Sequence, residues 1–304
     1  MRLFRRRGDE PRPGPAPGAL TAAAQAPDRA VAVAAVLEAG GLGRVAAPIA
    51  ALARPSIRYA TVADGGAGES RIGGLPHLAP GTDWPTTDRG PLSLVAQVSL
   101  AEAAVLLPGS GLPTTGSLAF FYDAVGQTAW GFDPADRGSW RVLYVPDDAA
   151  PPAEPPASLA DDGRFTAASL APHVEWTFPD LDSLAMDALA LTVAESDAYG
   201  DLLGDGDETV HRLLGHPEPV QGEMQLECQL ASHGIYVGDP SGYRDPRAEA
   251  LRPGAEDWQL LLQLDSEDAV GMMWGDVGRL YFWITRDSMA AGRWDDVWMV
   301  LQCT

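Results

Sequence analysis

The chain has 304 residues, with 42 acidic side chains against 21 basic ones and a net charge of −21, and every one of those basic residues is an arginine. Without lysine there is no Schiff-base or pyridoxal-phosphate chemistry, no Walker A loop and no protein-kinase ATP site, because each needs an ammonium at a fixed place. The acidity argues against nucleic acid and anionic membrane as partners, since both are themselves negative.

The first 18 residues, rich in arginine and proline, read as a disordered tail with no apolar core of a targeting signal. Five arginines and two acids give this tail a local +3, which leaves residues 19–304 with 16 basic and 40 acidic groups, a net −24. Residues 19–55 read as an N-terminal helical segment of one or two alanine-rich helices. Asp28 is placed to cap the first, Gly40 and Gly41 to end it, and Pro55 to close the second. Gly41, Gly43 and Ala46 also satisfy G-x-G-x-x-A, with Asp64 downstream as a ribose-binding acid. Glu38 in the required buried strand, Pro48 in the required helix and the lack of a second βαβ unit favour a helix C-cap instead.

From Ile57 the pattern turns strand-like. The runs SIRYATV, PLSLVAQVSL, GSLAFFYDA, TAWGFD and SWRVLYVP are short, β-branched or aromatic, and bounded by Gly, Pro and Asp. A Pro-rich acidic connection around residues 147–163 reads as a boundary or long surface loop. RFTAASLAPHVEWTFP is a further strand region. Leu181, Leu184, Leu189 and Val193 then give the spacing of an interior helix. No run of about 18 apolar residues marks a transmembrane helix.

Two sets of elements recur in the same order. GGLPHLAP, PLSLVAQVSLAEA and GSLAFFYD in one half correspond to LLGHPEPV, WQLLLQLDSEDA and GRLYFWIT in the other. Each set is a Gly-X-Pro turn, an apolar strand with a central glutamine (Gln97, Gln263) and a Gly-led aromatic strand. The expected fold is α+β and β-rich, with two related halves, residues 56–146 and 164–304, arising by internal duplication behind the N-terminal helical segment. Each half alone would leave a sheet face uncovered.

The stretches SRIGGLPHLAPGTDWP, GPLSLVAQVSL, LPTTGSLAFFYD, HRLLGHPEPVQGEM, WQLLLQLDS, MWGDVGRLYFWI and VWMVLQC resemble the YwqG-like family, also called the DUF1963 domain, in family order. They cover residues 70–303. The resemblance implies a cytoplasmic bacterial protein of mixed α+β fold with two related halves. It implies no cofactor and no catalytic set, because the family has no assigned function, and its members are sometimes encoded near toxin and immunity genes. The arginine-rich tail and the connection around residues 151–156 depart from the family pattern.

Candidate chemistry falls into four groups. Ser110, in LPGSGLP, lacks the spacing of a nucleophile elbow. The only cysteines, Cys228 and Cys303, lie in apolar runs that read as strands, where burial blunts a thiolate. For a hard divalent cation, Asp201, Asp205, Asp207 and Glu208 in one glycine-containing loop, and Asp265, Glu267, Asp268 and Asp276 in another, are the candidate ligands. The two Gly-X-Pro turns bring His77, His216, Gln97, Gln221 and Gln263 toward a shared cleft, if equivalent turns meet at a pseudo-twofold axis, with Arg71 supplying a cation and Asp276 an anion. The competing reading is that the glutamines hold backbone groups and the histidines shape turns. The tryptophans and Tyr281–Trp283 read as core or as a protein-binding patch.

The reading that follows is a non-catalytic binding or interaction module with no cofactor, its partner a protein or a small ligand. The alternative is a hydrolytic or metal-dependent enzyme in the cleft, with His216 as general base and Asp276 or Asp265 orienting it or holding the metal.

Overall fold

A computed structural model describes residues 15–62, 69–147, 149–204 and 209–304. Three helices come first, α1 (Ala19–Ala24), α2 (Arg29–Ala39) and α3 (Ala46–Leu52). The first half of the sheet follows: β1 (Arg54–Val62), β2 (Arg71–Ile72), the small hairpin β3 (Thr86–Thr87) and β4 (Gly90–Pro91), β5 (Ser93–Ser99), α4 (Leu100–Leu106), β6 (Ser117–Tyr122) and β7 (Trp140–Val145). The chain continues through β8 (Ala168–Thr177), α5 (Leu184–Asp187), α6 (Val193–Leu203), β9 (His211–Leu213), α7 (Gln225–Ser232) and α8 (Ala248–Leu251). It ends in β10 (Trp258–Asp265), β11 (Arg279–Thr285), α9 (Arg286–Ala290) and β12 (Trp298–Gln302).

Ten strands form one sheet in the order β12-β11-β10-β9-β1-β8-β2-β5-β6-β7. The long pair β1 and β8 lies at its centre, from Arg54 against Thr177 to Val62 against Ser169. Each long strand pairs on its other side with a short strand from the opposite half of the chain: β1 with β9 and β8 with β2. Outward from there the two flanks match. Arg71 pairs with Gln97 and Arg212 with Gln263, and a bulge interrupts β5 between Leu94 and Ala96 as another interrupts β10 between Leu260 and Leu262. A bulge adds local twist, and here both outer flanks bend toward one another.

The bend brings the edge strands β7 and β12 together, so the sheet approaches a barrel. Trp140 Nε1 donates to the Val297 carbonyl at 2.8 Å, Trp298 Nε1 donates to the Gly131 carbonyl at 2.8 Å, and the two rings stack edge-on at 5.0 Å. The interior is closed by aromatic contact across the sheet, Phe120 against Phe282 at 5.0 Å and Tyr122 against Trp274 at 5.9 Å. Burying rings of this size supplies a large part of the apolar driving force. A second cluster joins α1 to α3 with Phe178, Met186, Tyr199 and Leu202, and a third sits between the outer face of β5 and β6 and the chain at Leu78, Leu92 and Ala150.

Several local expectations change. The interior helix expected within residues 180–204 is two helices, because Thr192 and Glu195 form a capping box that starts α6 afresh and leaves Val193 79% exposed. Pro55 does not close α3; it lies inside β1, opposite Trp176. TAWGFD is no strand. Its backbone N–H groups at Trp130 and Gly131 are taken by the Asp136 carboxylate, and Gly131 holds φ 95°. Cys228 sits on a helix, α7, and its strand-like run of apolar residues is the buried face of that helix. The Pro-rich connection is packed, with Leu78 N–H donating to Pro151 O and Ala153 N–H to Pro76 O. Asp28 precedes α2 and makes no side-chain cap.

Candidate functional site

The two Gly-X-Pro turns are built alike from the residues upward. β2 and β9 each end on a pair in the left-handed region, Gly73 and Gly74 at φ 60° and 70° and Leu214 and Gly215 at φ 60° and 79°. Proline follows after one intervening residue, Pro76 in one turn and Pro217 in the other, and it carries no backbone donor. The next N–H, of His77 in one turn and Glu218 in the other, donates to a glutamine Oε1 on the neighbouring strand, Gln97 at 2.7 Å and Gln263 at 2.9 Å. Gln97 Nε2 donates back to the His77 carbonyl and to Ser117 Oγ, while Gln263 Nε2 donates to the Val210 carbonyl. Both glutamines are buried, and an amide side chain satisfies a buried donor and a buried acceptor at once without charge.

The charges around the turns differ. Arg212 is 3% exposed and held by Glu175 at 2.7 Å, Glu218 at 2.8 Å and the His216 carbonyl at 3.0 Å. Arg71, at the matching register, is half-buried, has no ion pair among the described residues, and has its guanidinium pKa lowered by burial. Beside it, burial and then the Arg71 charge lower the pKa of His77.

His216 lines a pocket with Arg54 and Trp283, and His77 is not among the residues that line it. The two turns lie on opposite flanks of the sheet because β1 and β8 stand between them. His77 instead forms a bridge with Pro152. His216 is 6% exposed, and its Nε2 donates to the Leu52 carbonyl at 2.7 Å. A carbonyl only accepts, so the proton is on Nε2 and the ring is neutral; burial, and then Arg54, hold its pKa down at about 3. Asp276 is exposed in the turn between β10 and β11, where its carbonyl accepts from Thr304. Gln221 is exposed too, and its N–H donates to Gln302 Oε1 at 2.9 Å.

Asp265 is occupied. Its Oδ2 accepts from Val210 N–H and Arg279 Nε, both at 2.9 Å, and its own N–H donates to His211 Nδ1. That last bond leaves the His211 proton on Nε2, 3.7 Å from Glu267, which turns a donor and not a lone pair toward the carboxylate. Asp268 is exposed on the following 3₁₀ turn. Asp205, Asp207 and Glu208 lie outside the described residues. Among the described residues no three His, Cys, Asp or Glu side chains gather as a cation would need. Burial raises the Cys228 thiol well above its ordinary value.

The residues that pattern reading passed over are Arg54 and Trp283. Both line a pocket with His216, Pro217, Asp180, Glu223 and Met224. Trp283 is 3% exposed, and among the described residues its indole N–H has no partner, nor has the guanidinium of Arg54, partly buried at the start of β1. The only signal in the sequence was the outward position of Trp283 between inward Phe282 and Ile284.

The family model described as "Domain of unknown function (DUF1963)" matches residues 70–303 of this chain. No curated protein matches it. Among the described residues no helix is long and apolar enough to cross a membrane.

Proposed function

This chain therefore belongs to the DUF1963 family, and from that premise we propose that it is a cytoplasmic bacterial binding module without catalytic activity, built by duplication of a β unit, whose ligand enters beside the second Gly-X-Pro turn. The observation that carries the reading is that Trp283, whose buried indole N–H has no partner among the described residues, lines a pocket. Buried donors are paired almost everywhere in folded proteins, and an exception at a pocket points to a partner from outside.

The candidate catalysts favour the same reading. His216 spends its Nε2 proton on a carbonyl, Asp265 spends both oxygens on donors, and the glutamines hold turns. The duplication is supported by the matching registers and bulges of the two flanks. A reducing compartment is supported by two buried free cysteines. The partner is a protein or a small ligand. Nucleic acid and anionic membrane are disfavoured by the net −24 of residues 19–304.

Affinity capture of the tagged full chain from its native host, with native mass spectrometry of the eluate, tests the reading. A retained protein or a co-eluting small molecule is expected. Turnover of an ester, amide or phosphoester by the pure protein, abolished by His216→Ala, would overturn it.

A further inference from the structure

We propose that the pocket beside the second turn binds the carboxylate group of a small organic acid, through the Arg54 guanidinium and the Trp283 indole N–H. The inference rests on the reading of the chain as a binding module and names the ligand class for it.

Both unanswered groups are donors, and one is a cation. Arg286 lies near enough to Arg54 to repel it, and no carboxylate of the chain pairs with Arg54 among the described residues. A buried donor without an acceptor costs on the order of 1–3 kcal/mol, more when it is charged. Two residues with such donors line one pocket, and an acceptor that carries a negative charge and two oxygens can answer both. A carboxylate meets the guanidinium fork with both oxygens and keeps a lone pair for a third donor.

The other walls narrow the choice. The pocket is small and partly open, large enough for a carboxylate head on a short stem. Asp180 and Glu223 line the same pocket. A phosphoryl dianion would meet two carboxylates there; a carboxylate brings one charge and meets less repulsion. Pro217 and Met224 offer apolar surface for a short aliphatic stem.

A free small acid and the carboxyl terminus of a peptide share this chemistry. The test uses the full chain labelled with ¹⁵N and reads the indole N–H signals of its nine tryptophans. The Trp283 signal is identified by its loss in Trp283→Phe. Sodium propionate and N-acetylglycine are titrated separately, with propionamide and inorganic phosphate as comparators.

The expected result is a saturable shift of the Trp283 signal with at least one carboxylate and none with propionamide. Tighter binding of propionate assigns a free acid; tighter binding of N-acetylglycine assigns a peptide terminus. Arg54→Met should weaken the titration by roughly tenfold or more, with the remaining indole signals in place as proof of folding. If that variant does not fold, Arg54→Lys keeps the charge without the fork and should still bind more weakly than the wild type. No shift with either carboxylate up to about 50 mM, undiminished affinity in the Arg54 variant, or tighter binding of phosphate than of both carboxylates would each overturn the proposal. Were a protein partner captured while both carboxylates failed, only the ligand class would fall, and the binding-module reading would stand.

Discussion

The turn after β2 and the turn after β9 share backbone conformation, register and a glutamine clasp, yet one arginine is locked and the other is loose. Arg212 is caged by Glu175 and Glu218, whereas Arg71 stands without an ion pair among the described residues. The shared backbone therefore does not depend on the ion pairs. What both turns keep is the neutral amide, Gln97 or Gln263, that pairs the N–H following the proline. A charge buried this deeply must be paired or expelled, whereas a buried amide needs only hydrogen bonds.

The strongest way to break this comparison is to break the cage. Glu175→Gln leaves Arg212 with Glu218 alone, and Arg212→Met leaves the buried Glu175 with only Arg58, 3.9 Å away; the second is expected to cost more, about 3 kcal/mol in urea unfolding. Gln97→Leu and Gln263→Leu come next, each expected to cost about 2 kcal/mol by stranding a turn N–H and a carbonyl. Equal costs in the two halves would support a common clasp; a negligible cost in one would break it.

The third test is pH. His216 has its folded pKa lowered from 6.5 to about 3, so the unfolded state binds more protons between those values. Its stabilising contribution is complete above pH 6.5 and is lost as pH falls toward 3, by up to about 1.4 kcal/mol per pH unit. His216→Gln should flatten that acid limb in unfolding curves taken at several pH values. The smallest effect is expected at the loose site: Arg71→Met should change stability by no more than about 0.5 kcal/mol. A loss as large as that of Arg212→Met would mean that the two arginines are not different in kind.

Much of the architecture is legible in the sequence because strand and turn signals are local. The paired elements around Gln97 and Gln263, the aromatic strands and the Gly-X-Pro turns all occur as read. The misreadings share a cause: in TAWGFD and around Cys228, apolar residues are held by a distant partner or by a helix face, and composition alone does not separate those from a strand. The shared cleft assumed that the two turns meet, and the sheet order separates them. Similarity between two turns says nothing of what lies between them, and here it is the β1–β8 pair.

By itself the sequence determined the lysine-free chemistry, the acidic body and the repeated order of elements, since each depends only on residue type and short spacing. Only the tertiary structure decided that β1 and β8 cross to the opposite flanks, that the sheet curls until Trp140 meets Trp298, and that Arg54 and Trp283 line one pocket. Those pairings join residues far apart in the chain. They are selected by burial of aromatic rings and by which donors find acceptors, and neither is written in any short stretch of sequence.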